Sequence, residues 1–69
     1  MTTVLRIPDL ADDTAARLAR RAIEKAAGVA AVEIRAAERT VTVEHDPDLV
    51  SSASLVTRLE HAGFTVEAP

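Results

Sequence analysis

Two stretches of the sequence share one pattern and decide the fold: "KAAGVAAV" at residues 25–32 and "EHAGFTVE" at residues 60–67. In each stretch a glycine, Gly28 or Gly63, separates a helix-like segment from apolar residues. Glycine readily adopts the left-handed conformation in which many helices end, so each stretch is predicted to join a helix to a strand. The glycines lie 35 residues apart, a spacing that fits one strand–helix–strand unit.

The segments around these stretches complete two such units. "TTVLRI" at residues 2–7 alternates as a half-buried strand does, with Thr3, Leu5 and Ile7 on one side. Residues 14–27 place apolar side chains three and four positions apart, which predicts an amphipathic helix. Its expected buried stripe is Leu18, Ala19, Ala22, Ile23 and Ala26.

The middle of the chain predicts a hairpin and a second helix. "AVEIRA" at residues 31–36 and "TVTVEH" at residues 40–45 are two further strands separated by a short turn. The second helix should begin at Ser51 or Ser52, where a hydroxyl caps free amides, and a last strand covers residues 64–67. The expected buried stripe of this helix is Leu55, Val56, Leu59 and Ala62.

The predicted order is therefore βαββαβ in one domain, residues 1–69. Right-handed crossovers place both helices on one face of a four-stranded antiparallel sheet, the α+β two-layer sandwich called ferredoxin-like. The other face of the sheet, which carries alternating charges, is expected to be solvated.

Composition excludes several functions. The chain has no cysteine, one aromatic residue and a net charge of −3, so thiolate sites are excluded and nucleic-acid binding is not expected. The sequence shows no signal peptide and no run long enough to insert into a membrane, which favours a soluble cytoplasmic domain. Since it also lacks a recognisable nucleophile motif or phosphate loop, we do not expect an enzyme.

Three stretches carry a resemblance to a known family: "GV" at Gly28 and Val29, "VTVEHDPDLVS" at residues 41–51 and "LEHAGF" at residues 59–64. From about Thr3 to Glu67 the chain resembles the heavy-metal-associated domain of copper chaperones and of the N-terminal tails of metal-transporting P-type ATPases. In that family the loop after the first strand reads Gly-Met-x-Cys-x-x-Cys. Here the same positions hold residues 9–15, "DLADDTA". Asp12 and Ala15 replace the two cysteines and Leu10 replaces the methionine, so Cu(I) binding through thiolates is not expected.

The aspartates in this loop have two interpretations. Asp12 or Asp13 is a suitable N-cap for the first helix, which requires no function. Alternatively, Asp12, Asp13 and His61 form a site of hard ligands for Zn(II), Ni(II) or Co(II), because the topology directs the second helix towards this loop. No other cofactor is expected, and His45 is interpreted as a solvated histidine at the rim of the sheet.

A second candidate surface is the basic first helix. Residues 17–25 hold four cations, Arg17, Arg20, Arg21 and Lys25, against the single acid Glu24. They are either a solvated face, with an ion pair between Arg20 and Glu24, or a docking face for an acidic partner. The resemblance implies that this partner is a P-type ATPase or another metal-handling domain. The sequence thus predicts a non-catalytic interaction or regulatory module linked to metal transport, located in the cytoplasm or in the cytoplasmic tail of a transporter.

Overall fold

A computed structural model of the chain describes residues 1–67. Its strands and helices are β1 (Thr2–Arg6), α1 (Asp13–Glu24), β2 (Val29–Arg35), β3 (Thr40–His45) and α2 (Ser52–His61). The antiparallel sheet has the order β1-β3-β2. Both helices pack on the same face of the sheet, as the sequence predicted.

The core lies between this sheet and the two helices. Because β3 is central, its inward residues Val41 and Val43 are fully buried, and they pack with Leu5 of β1 in the same cluster. The helices contribute Ala19, Ile23, Leu55 and Leu59. The predicted burial is wrong for two residues of the apolar stripes. Leu18 is 49% exposed, and Ala62 is also exposed. Both lie at the margin of their helix's apolar stripe.

The predicted fourth strand is not confirmed among residues 1–67. The segment after α2 makes an isolated bridge, in which the Glu67 N–H donates to the Arg6 carbonyl at 2.9 Å. Two amides that precede Glu67 bond to other parts of the chain. The Phe64 N–H donates to the Leu59 carbonyl, and the Thr65 N–H donates to the Asp9 carboxylate. Because those donors do not face β1, no regular ladder forms there.

The two glycines have different roles. Gly63 (φ +97°) ends α2 as predicted, with N–H bonds from Gly63 to Glu60 and from Phe64 to Leu59, the pattern of a Schellman motif. The expected cap at the end of the first helix is wrong, since α1 stops at Glu24 and its C-cap is Lys25. Gly28 (φ +91°) instead belongs to the turn that enters β2.

Candidate functional site

The loop between β1 and α1 ends in a helix cap. Asp12 is the N-cap residue, and its Oδ1 accepts a hydrogen bond from the Ala15 N–H at 2.8 Å. Asp13 follows as the acidic first residue of α1, where the helix dipole favours a carboxylate. The predicted capping role of this aspartate pair is therefore confirmed for Asp12.

The first residues of the loop are also held in place. Leu10 is fully buried in the core, and its N–H donates to the Ile7 carbonyl at 3.0 Å. Asp9 Oδ2 accepts from the Thr65 N–H at 2.6 Å, which connects the loop to the segment after α2. The Arg39 guanidinium donates to the Pro8 carbonyl at 3.2 Å. The first half of the loop is thus held by core packing and by hydrogen bonds to three other parts of the chain.

The proposed metal ligands do not form a cluster. His61 is exposed in the last turn of α2 and lines an open groove between that helix and the residues that follow α1. Within residues 1–67, no three His, Cys, Asp or Glu side chains lie close enough together to hold a metal ion. The structure therefore does not bring Asp12, Asp13 and His61 together.

The basic side chains of α1 are exposed, but they do not share one environment. Arg20 reaches the edge of the sheet, where its Nη1 donates to the Val32 carbonyl at 3.1 Å. The Arg20–Glu24 ion pair, which the solvated-face interpretation predicted, is absent from the described part of the chain. The ion pairs found there join Arg35 to Glu33 and Glu38, and the hydrogen bond to Glu33 raises the pKa of Arg35.

Arg17, Arg21 and Lys25 are exposed in α1 or at its C-cap. No ion pair within residues 1–67 involves these three residues. They define the surface that we call the basic face. Its charges are available to a partner without first breaking an intramolecular ion pair.

His45 corrects a sequence-based interpretation. It is 3% exposed, so it is a buried residue and not a solvated one. Its Nδ1 lies 2.9 Å from the Val50 carbonyl, and its Nε2 lies 2.8 Å from Thr3 Oγ1, which in turn lies 2.8 Å from Ser52 Oγ. The strict alternation of "TVTVEH" contained this signal, because it places His45 on the same side as Val41 and Val43.

The direction of these hydrogen bonds follows from their chemistry. A carbonyl oxygen only accepts, so His45 Nδ1 donates its proton to Val50. In the neutral ring Nε2 then accepts from the Thr3 hydroxyl, and the Ser52 hydroxyl donates to Thr3. The network connects β1, β3 and the start of α2, and it satisfies every polar atom of the buried imidazole.

The fold and the first loop together define a class of protein. It is a small two-layer α+β domain whose first loop is held by the Asp12 helix cap and by the buried Leu10. A sequence model of the family described as "Heavy-metal-associated domain" matches residues 4–65. The chain therefore belongs to the heavy-metal-associated domain family. Since it contains no cysteine, it is a member without the thiolate pair.

Solved structures show the same fold. A copper-binding domain of the P-type ATPase HMA7 is 20% identical, with a TM-score of 0.90 over 96% of this chain and 89% of that one. Oxidized MerP from Ralstonia metallidurans CH34 is 24% identical, with a TM-score of 0.91 over 97% and 93%. A ZiaAN sub mutant is 28% identical, with a TM-score of 0.84 over 100% and 97%. No match was found among curated protein sequences.

Proposed function

We propose that this domain is a non-catalytic docking or regulatory module of metal transport, and that it works through the basic face rather than through a bound Cu(I) ion. The family relates the chain to metal handling. The observation that carries the proposal is the contrast between a first loop without thiolates and a cationic α1 whose charges are exposed.

Charge distribution supports docking to an acidic partner. The chain has eight cations and eleven acids, yet four of the cations lie between residues 17 and 25 beside one acid. Patches of one sign guide association and give complexes that weaken as salt rises. A P-type ATPase or another metal-handling domain with an acidic surface is the partner that we propose, in the cytoplasm.

The four proposed docking residues differ in their contacts within the chain. Arg17, Arg21 and Lys25 supply charge to the partner. Arg20 also donates to the edge of β2, so its replacement would change the sheet edge as well as the charge. A test of docking should therefore use Arg17 and Arg21 and leave Arg20 in place.

The alternative function is binding of Zn(II), Ni(II) or Co(II) through Asp12, Asp13 and His61. The geometry gives it less support, because Asp12 is used as a cap and the three side chains are not clustered. It stays a prediction with its own test. Amide NMR titration with each ion should give saturable shifts at residues 9–16 and 61–64 if the site exists.

The docking proposal is tested by charge reversal. Complex formation with the amino-terminal domain of a metal-transporting ATPase from the same cell would be measured by calorimetry at low and high salt. We expect binding that weakens at high salt and is lost in Arg17→Glu/Arg21→Glu. The matched control is Arg6→Glu/Arg35→Glu, which makes the same charge change on the sheet strands.

Two results would contradict the docking proposal. One is a complex of unchanged affinity after the reversal on α1. The other is equal weakening by both double variants, because this would show that net charge matters and the basic face does not. Far-UV circular dichroism of each variant confirms that the fold is retained.

A further inference from the structure

An open groove of about 560 Å³ follows the exposed side of α2. Its opposite wall consists of residues that follow α1 and of the loop that precedes α2. The groove, which we call the α2 groove, is lined among others by Ala27, Leu49, Ala53, Thr57, Arg58 and His61. None of the basic-face residues Arg17, Arg21 and Lys25 lines it. It is therefore a surface separate from the one on which the proposed function depends.

The two ends of the α2 groove differ in chemistry. Ala27, Leu49 and Ala53 form an apolar surface at the start of α2, while Arg58 and His61 lie in the last turn of this helix. No acidic side chain lines the groove in the described part of the chain. At 1.5 Å per helical residue, Ala53 and His61 lie about 12 Å apart along α2. A ligand that matches the groove is therefore apolar at one end and anionic at the other.

The cationic end of the groove is open to solvent. Arg58 and His61 are exposed, and neither takes part in an ion pair within residues 1–67. Basic residues in the last turn complement the helix dipole, which explains their position without a ligand. The dipole does not explain the exposed apolar surface at the other end of the same groove. The two features together indicate a binding surface.

Leu49 gives the apolar end a fixed anchor. Its side chain is 66% exposed, although the loop around it is held in place. The Asp46 N–H donates to the Gly28 carbonyl at 2.8 Å, and the N–H groups of Leu49 and Val50 both donate to the Asp46 carbonyl at 3.0 Å. Val50 is buried, so the loop places one apolar side chain in the core and the next one at the groove. With the alanines beside it, Leu49 forms an exposed apolar patch of the kind that marks an interaction site.

We propose that the α2 groove binds an acidic amphipathic helix of a partner protein. A helix satisfies its own backbone hydrogen bonds, so it can lie along α2, whose backbone bonds are also internal. In a helix, an apolar residue and acidic residues four and eight positions later lie on one face, at about 6 and 12 Å along the axis. These spacings match Ala53, Arg58 and His61, which lie at 0, about 7.5 and about 12 Å along α2.

Two acids of the loop before α2 set the direction of the bound helix. Asp46 and Asp48 are exposed and flank Leu49 by three and one positions. In the reverse direction the acidic side chains of the partner would lie near these carboxylates, and like charges at an interface disfavour that arrangement. The favoured direction places the partner's apolar residue at Leu49 and its carboxylates at Arg58.

Amide NMR of the unmodified chain with a synthetic peptide tests the proposal. The peptide is Ala-rich and about 20 residues long, so that it is helical in isolation, and it carries one leucine with glutamates four and eight positions after it. We expect saturable shifts at Ala27, Leu49, Ala53 and Arg58, with a dissociation constant of about 10 µM to 1 mM because the interface is small. A peptide with lysines in place of the glutamates should bind about tenfold more weakly or not at all.

Four variants, each checked for its fold by far-UV circular dichroism, locate the contact. Arg58→Glu should weaken peptide binding about 2- to 30-fold, because it replaces an attraction by a repulsion. Arg6→Glu makes the same charge change on an exposed residue of the sheet and should leave binding within about twofold. Leu49→Ala should weaken binding about 3- to 10-fold through lost apolar contact. Its matched control is Leu18→Ala, at a leucine that is 49% exposed and lies outside the groove.

Several results would overturn the proposal. They are the absence of saturable shifts up to about 5 mM peptide, a range that covers weak interfaces, equal binding of the lysine peptide, and equal effects of a variant and its control. Groove shifts that follow protein concentration without peptide would assign the groove to a second copy of the chain. Loss of peptide binding in Arg17→Glu/Arg21→Glu but not in Arg58→Glu would place the peptide on the basic face, which supports the docking proposal and contradicts this one. Failure of that docking proposal leaves peptide binding in the α2 groove unchanged.

Discussion

Replacement of Asp12 by Ala is expected to lower the free energy of unfolding by about 1–3 kcal/mol. The side chain is exposed and makes one hydrogen bond, to the Ala15 N–H at 2.8 Å. Loss of an N-cap costs about 0.5–2 kcal/mol, and loss of a carboxylate near the helix dipole adds about 0.3–1 kcal/mol. A chain of this length is stable by only about 3–10 kcal/mol. The melting temperature should therefore fall by about 4–24 °C.

The assay is urea unfolding followed by far-UV circular dichroism, because the chain contains no Trp or Tyr. Asp12→Asn keeps an oxygen that accepts from the Ala15 amide and removes only the charge, so it should cost clearly less than Asp12→Ala. Asp13→Ala removes a charge near the dipole and should cost about 0.3–1 kcal/mol. If Asp12→Ala is as stable as the unmodified chain, or if Asp12→Asn costs as much as Asp12→Ala, the capping argument is wrong.

The same variants separate a cap from a metal ligand. An ion that binds only the folded chain raises its melting temperature. If Asp12 is only a cap, Zn(II) should leave the melting temperatures of the unmodified chain and of Asp12→Ala equally unchanged. Stabilisation of the unmodified chain alone would instead support the site at Asp12, Asp13 and His61.

Four further variants test other features of the structure. Gly28→Ala should cost about 2–5 kcal/mol in urea unfolding, because its φ is +91° and the new Cβ would lie 2.6 Å from a side-chain carbon. Gly63→Ala, with φ +97° but open space around it, should cost about 1–2 kcal/mol, and equal costs would contradict the steric argument. His45→Leu should cost about 1–3 kcal/mol by the same assay, since it leaves the buried Val50 carbonyl without its donor and removes one of the two hydrogen bonds of the Thr3 hydroxyl. A neutral effect would contradict this. Asp12→Cys/Ala15→Cys should gain Cu(I) binding, because it places two thiolates at the start of α1. Competition with a colorimetric Cu(I) chelator measures this. No gain would show that the loop also lacks the geometry that Cu(I) requires.

Much of the fold could be predicted from the sequence because its local signals agree. The alternation at β1 and β3 and the spacing of apolar residues in the helices each identified an element. Gly63 marked the end of α2 correctly, since the Schellman bonds and the glycine occur together. Gly28 was misleading, because the same residue type also permits the tight turn that enters β2. The sequence alone does not show whether a given glycine ends a helix or forms a turn.

The last strand and the site were harder to predict, because both depend on contacts between distant residues. "FTVE" has the composition of a strand, but the Thr65 amide is bonded to Asp9, which lies 56 positions earlier in the chain. The rim interpretation of His45 follows from its place at the far end of the sheet, whereas the alternation of its strand puts the side chain inside. The cap at Asp12 was predicted because it is local.

The network of Thr3, His45 and Ser52 has a consequence for folding kinetics. Its hydrogen bonds join Thr3 to residues that lie 42 and 49 positions later in the chain. Such contacts form only after a long loop has closed. Bonds that form late are absent from the transition state, and their loss accelerates unfolding without slowing folding. Stopped-flow circular dichroism of His45→Leu should therefore show a faster unfolding limb and an unchanged folding limb. A slower folding limb would place this network in the folding nucleus.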